Sequence, residues 1–328
     1  MFSQPEIIDT FSAPSFALGL LKVGVTVSWL EHPKYKRVRD ELIDYLRADS
    51  YRFRSLGPVL FLCGAAGSHS RDTLSDHLRK HNLSLKLFYA EAVWQQIASR
   101  ADRSALQMES DLAVLADLVI IIVESPGTFA ELGAFSLNDQ LRKKVLPIVD
   151  NEYRDQASFI ATGPLRWIDA DSRFRPTIYV SLPRILMAID QIDERIARIP
   201  KSRSLKISDL ALSPKLLLFF LCDLIAVIHP ATIKSVEYYL GRIAPSILSS
   251  DISVPTLVGL AVAMDLLRSR EITTMDGKQT FFWPTTSDAL EHPFHHGRKL
   301  NLPSQRAAHV SVLLTVPEAR SALEELRK

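Results

Sequence analysis

Apolar residues form an unbroken run of six at 118–123, Leu-Val-Ile-Ile-Ile-Val. Its length and β-branched content suit a strand covered on both faces, as in the middle of a parallel sheet. Shorter apolar runs at 59–63, 145–149 and 178–180 predict further strands. A run at 83–89, with Ser84 and Lys86 between alternating leucines, fits an edge or near-edge position. Helical spacing appears between them, at 71–81, 91–100, 105–116, 128–141 and 183–199. In 159–167 the Thr162-Gly163-Pro164 triplet predicts a tight turn. Strands alternating with helices across 58–200 predict an α/β fold, a doubly wound parallel sheet.

The pattern changes on either side. Residues 1–30 are apolar but broken by Pro5, Pro14 and Gly19, and 34–56 read as a helix with Val38, Leu42, Ile43, Tyr45 and Leu46 on one side. Together 1–57 form an N-terminal helical arm. Lys34, Lys36, Arg37, Arg39, Arg47, Arg52 and Arg54 make that helix basic, as a solvated face or a phosphate-contacting one. After a polar linker at 200–208, helices are expected at 215–228, 231–243 and 254–269. A strand pair at 271–274 and 279–283 then turns at Asp276-Gly277, a good hairpin signal. Three helices and a hairpin are winged-helix order, so 207–290 is read as a winged-helix-like α+β domain. No Lys or Arg occurs in 254–267, which favours docking a partner over reading DNA. Residues 291–328 are a tail.

Charge and composition narrow the classes. The chain of 328 residues exceeds the usual single domain. Net charge is +2, and 207–328 holds twelve basic and twelve acidic residues, so nothing drives the whole chain toward nucleic acid. Cys63 and Cys222 lie far apart in apolar runs and suggest neither disulfide nor metal. No signal peptide or membrane span is evident, and a reducing cytoplasm is the expected location. His292, His295 and His296 lack partners at ligand spacing and read as a surface loop, with no metal expected.

Candidate chemistry gathers where the central strand ends. Ser125-Pro126-Gly127 forms a turn, Ser125 and Thr128 offer hydroxyls, and Gly127 permits close backbone approach at a helix N-terminus. Glu131 then faces the crevice outside the strand ends. After the first strand, Gly64-Ala65-Ala66-Gly67-Ser68 offers a second small-residue turn, with Gly64, Ala65, Gly67 and Ser68 as candidate ligand contacts. Asp111, in the 105–116 helix, could approach beside Glu131 or be a solvated carboxylate. A glutamate near a helix N-terminus is held ionised, which suits a nucleophile rather than an acid.

These two turns resemble nucleoside 2-deoxyribosyltransferases, through Phe61-Leu62-Cys63-Gly64 and Pro126-Gly127-Thr128-Phe129-Ala130-Glu131-Leu132-Gly133. The run Glu124 to Phe135, with Thr162-Gly163-Pro164-Leu165-Arg166, is more closely similar to deoxyribosyltransferase-like effectors encoded beside bacterial retrons. Those effectors also carry a C-terminal winged-helix-like region. The resemblance implies that Glu131 is the nucleophile at a sugar's anomeric carbon and that Asp111 is a further acid. Pro126 replaces the transferases' Asp, and Phe61 their aromatic hydroxyl, so hydrolysis is expected over transfer. The implied protein is a toxic antiphage effector that cleaves the N-glycosidic bond of NAD or another nucleotide without a cofactor. The implied partners are a reverse transcriptase and its RNA–DNA product (msDNA), within a homo-oligomer or larger assembly.

Two other readings remain open. Pro126-Gly127-Thr128-x-x-Glu131 also resembles the turn of lysine-decarboxylase-like phosphoribohydrolases and their nucleotide-sensing relatives, so the site could bind a nucleotide without cleaving it. A metabolite-sensing winged-helix regulator is the third, and the neutral charge of 207–328 argues against it.

Overall fold

The structure is a computed structural model that describes residues 29–47, 57–82, 85–89, 115–200, 207–248, 253–274, 277–286 and 301–327. Five parallel strands make its sheet: β1 (Val59–Cys63), β2 (Lys86–Tyr89), β3 (Leu118–Val123), β4 (Val145–Asp150) and β5 (Ile178–Val180), in the order β2-β1-β3-β4-β5. The six-residue apolar run is the middle strand and all six side chains are buried, as a strand covered on both faces requires. Among the described residues β2 pairs only with β1 and is an edge.

Alternate residues divide the sheet's two faces. On one, Leu60, Leu62, Ile120, Ile122 and Ile148 pack with α2 (His69–His81) through Leu74 and Leu78, and with α6 (Ile189–Ala197) through Ile192. On the other, Phe61, Cys63, Val119, Ile121 and Val149 share a core with α3 (Pro126–Leu137) and α5 (Arg166–Asp171). A single turn, α4 (Asp139–Arg142), links α3 to β4.

That second core continues into the C-terminal part of the chain. Thirteen consecutive residues of α7 (Pro214–Ile228), Leu216 to Ile228, are buried, the state expected of a helix that is apolar all round. Around it stand α8 (Ile233–Ile243), α9 (Val254–Ala263) and the antiparallel pair β6 (Leu267–Thr274) and β7 (Gly277–Pro284). A bridge joins Ala231 to Phe282 of β7. α10 (Leu302–Leu313) and α11 (Pro317–Arg327) complete this region. Asp117 ties it to the sheet: its Oδ2 accepts the Val59 amide and the Lys215 ammonium at the start of α7.

The basic N-terminal helix, α1 (Pro33–Arg47), packs on α8 and α10. The Tyr35 and Tyr239 hydroxyls meet at 3.1 Å, and Arg39 is buried, donating to Leu30 O at 2.7 Å and to Glu31 and Asp40. Lys34, Lys36, Arg37 and Arg47 are its exposed cations; Arg52 and Arg54 lie outside the described residues.

Three local expectations are corrected. The helix expected through 269 ends at Ala263, because Asp265 takes a left-handed φ of 56° and the Leu266 amide reaches back to Ala261 O. That is a Schellman-type stop followed directly by β6. Thr162-Gly163-Pro164 is no tight turn but part of one widened helical turn, Ala161–Leu165, that leads into α5. Widening the turn accommodates a proline that has no N–H to give. The 183–199 helix is two pieces, a 3₁₀ segment Leu182–Ala188 and α6, and within the first Arg184 has non-helical φ and ψ of −121° and 40°.

Candidate functional site

β1 and β3 are hydrogen-bonded neighbours, with Cys63 beside Ile121, yet their chains leave to opposite faces. β1 feeds α2 on one side and β3 feeds α3 on the other. A doubly wound sheet opens a ligand crevice at such a switch point, outside the carboxyl ends of the strands. Both small-residue turns lie there.

The first turn is built by its own backbone. The Ser68 amide donates to Ala65 O at 3.0 Å, and Gly67 sits at φ +69°, a conformation that favours glycine. Ser68 caps α2, its hydroxyl accepting the Arg71 amide at 3.4 Å. The Arg71 side chain folds back across Gly64, donating to Gly64 O at 3.3 Å, and its guanidinium lies 4.8 Å from the centre of the Tyr89 ring. A positive charge and an aromatic ring thus flank the turn at the ends of β1 and β2.

The second turn begins α3. Pro126 is its first residue, where a fixed φ and a missing N–H suit helix entry. Ser125 is the cap and Thr128 completes a capping box. The Thr128 hydroxyl accepts the Glu124 amide at 3.0 Å and the Ser125 amide at 2.9 Å, and donates to Ser125 O at 2.9 Å. Thr128 is 2 % exposed. The Ser125 and Thr128 hydroxyls, expected to meet a ligand, are engaged in the cap. Gly127 is exposed, and a Cβ there would meet only Ser125 Oγ, at 3.8 Å. Among the described residues, the amides of Ala66, Gly67 and Gly127 make no hydrogen bond.

Glu131 stands six residues past the cap, on the second turn of α3, half-buried with Oε2 inside. The second turn lies beyond the stretch where the helix dipole acts most strongly. Leu132 and Phe135 on the same helix are buried in the sheet core and fix its rotation. Asp111 lies outside the described residues.

Glu124 was missed from sequence, where it reads merely as the first polar residue after an apolar strand. Its Oε1 accepts the Ala65 amide at 3.0 Å, bridging the ends of β3 and β1. Arg71 and Tyr89 were also missed, since only the fold brings α2 and β2 to this edge. Phe61, the departure from the transferase pattern, is fully buried and stacks on Phe88 at 5.2 Å; it serves the core. Among the described residues no group of His, Cys, Asp or Glu could hold a metal ion, and no helix is long and apolar enough to cross a membrane.

Residues 67–269, more than half of the chain, match the sequence profile of a family described as STM3845 retron effector protein. Over 133 residues the chain is 37% identical to the "Retron Ec86 putative ribosyltransferase/DNA-binding protein" of Escherichia coli, covering 39% of this chain and 43% of that protein. It is 32% identical over 122 residues to the "Retron Ec73 putative ribosyltransferase/DNA-binding protein" of the same organism, covering 35% and 39%. The aligned stretch thus spans about two fifths of the length of each curated relative.

Proposed function

The chain belongs to the STM3845 retron effector family, and from that premise we propose that it is the toxic arm of an antiphage retron, an N-glycosidase acting on NAD or another nucleotide. Glu131 is the nucleophile. Its carboxylate oxygen bonds to the anomeric carbon as the C–N bond breaks and the electron pair leaves with the base; water then releases the sugar. No cofactor takes part, and the nucleotide is the substrate. A reverse transcriptase and its RNA–DNA product restrain the toxin in a larger assembly. The relatives' printed names, ribosyltransferase and DNA-binding protein, agree in broad class with both halves of this reading.

The observation that carries it is the meeting, at the β1/β3 switch point, of a glycine turn with unused amides and a helix that carries a half-buried glutamate. Amides and an arginine suit phosphate, and the carboxylate suits the sugar. The strand order supports a deoxyribosyltransferase-like sheet. With Pro126 where the transferases have Asp, no carboxylate remains there to manage an acceptor base, so water takes the sugar. The order α7, bridge at Ala231, α8, α9, β6, β7 supports a winged-helix-like region. Its α9 carries no charge and is mostly buried, which suits docking a partner.

The test is chromatography of nucleotides incubated with purified protein. Wild type is expected to release free base from NAD or a nucleoside monophosphate, with no exchange when a second base is added. Glu131→Gln should lower the rate about 10³-fold or more and leave the unfolding curve unchanged. An intact nucleotide that binds with measurable heat would point to a sensor instead, and cleavage retained in Glu131→Gln would remove the nucleophile assignment.

A further inference from the structure

We propose that Glu124 is a positioning residue, a latch across the switch point that holds the Gly64–Ser68 turn at a fixed distance from the helix bearing Glu131. The inference rests on reading that crevice as the nucleotide site. Its basis is a continuous string of hydrogen bonds. The buried Thr128 hydroxyl accepts the Glu124 amide at 3.0 Å, which fixes the backbone from which the side chain springs. The carboxylate then takes the Ala65 amide at 3.0 Å, and Ala65 O takes the Ser68 amide at 3.0 Å, at the cap of α2. Two loops that depart to opposite faces of the sheet, and share no backbone hydrogen bond with each other among the described residues, are bridged by this side chain.

A side chain of this length ending in a hydrogen-bond acceptor suits the task because it spans from the end of β3 to the Ala65 amide. By taking Ala65 N, Glu124 sets the orientation of the next two amides, Ala66 and Gly67, which make no bond within the described residues. The role concerns binding. The turn holds the ligand while Glu131 reacts with it, so loosening the turn weakens affinity before it slows chemistry.

Three proteins test this: wild type, Glu124→Ala and Glu124→Gln. A glutamine oxygen can accept the Ala65 amide; alanine cannot. Glu124→Ala is expected to raise KM for the nucleotide about tenfold, the worth of one such hydrogen bond, with kcat changed less than about threefold. Glu124→Gln should restore KM to near the wild-type value and keep the pH profile of kcat. Hydrogen exchange at the Ala65 amide gives a readout independent of turnover: slow in wild type and Glu124→Gln, fast in Glu124→Ala. If Glu124→Gln loses kcat as fully as Glu131→Gln does, the carboxylate is chemical and the latch is wrong. Unchanged KM in Glu124→Ala, or equal exchange in all three proteins, also overturns it. A protein that cleaves and binds no nucleotide yet shows the predicted exchange pattern keeps the latch and loses the nucleotide reading.

Discussion

A Cβ added at Gly64 would lie 2.8 Å from Arg71 Cδ and 3.0 Å from Arg71 Cβ and Cγ. Arg71 cannot easily yield, because it is 7 % exposed and sandwiched between this glycine and the Tyr89 ring. Overpacking of this kind costs about 1–3 kcal/mol. Gly64→Ala is therefore expected to lower the unfolding free energy by that amount, seen as a lower urea midpoint with an unchanged slope, and to weaken binding at the proposed nucleotide site. An unshifted midpoint would mean that the arginine stands clear of the turn. At this scale sequence and structure agree unevenly. Gly67 and Ser68 were legible as part of a small-residue turn before a helix, but not as its left-handed glycine and its helix cap. Ser125 and Thr128 were legible as a helix start, but their hydroxyls satisfy each other's backbone, a choice that residue type alone leaves open. Glu124 was hidden because its partner, Ala65, lies 59 residues away in the chain.

Asp265 illustrates what an element's end depends on. It occupies the left-handed position after α9, at φ 56°, where a side chain is strained and glycine is not. Replacing it by glycine relieves about 1–2 kcal/mol of that strain and loses roughly half of that gain to the freer unfolded chain. Asp265→Gly is thus expected to stabilise the protein by about 0.5–1 kcal/mol, read from thermal or urea unfolding. A loss of stability would show that the aspartate side chain holds the turn. Because the stop uses an aspartate instead of the usual glycine, the apolar pattern ran on through it and hid the start of β6. The five strands of the sheet gave no such trouble. Each run is short and bounded by polar or small residues, and β1, β3 and most of β4 are buried on both faces, so periodicity located them to within a few residues. The widened turn around Pro164 was the reverse case, where a turn signal was absorbed by a helix that could change its pitch.

Across the whole molecule, one core joins the sheet to the C-terminal helices, and the local pattern could not reveal it. An all-apolar helix such as α7 shows that it will be buried but not by what. The same packing buries one histidine and half-buries another. His309 on α10 is fully buried, donates from Nδ1 to Gln305 O at 2.8 Å and meets the Tyr35 ring edge-on at 5.6 Å. His229, at the end of α7, contacts Ile225 O and Ala226 O. Burial lowers their pKa values, to about 4 for His309 and about 3 for His229, and the nearby Arg306 cation pushes the same way. A base whose folded pKa lies below its unfolded value of about 6.5 binds more protons unfolded than folded across that interval. Stability from keeping these rings neutral is therefore complete above pH 6.5 and declines as the pH falls toward 4. For His309 alone the loss is on the order of 3 kcal/mol. Urea midpoints measured from pH 7.5 down to 4.5 should fall steadily below 6.5. His309→Phe keeps a ring against Tyr35 and has no proton to bind, so its curve should be flatter over the same range. If the two curves run parallel, the acid sensitivity belongs to other groups and the α1–α10 contact does not depend on a neutral imidazole.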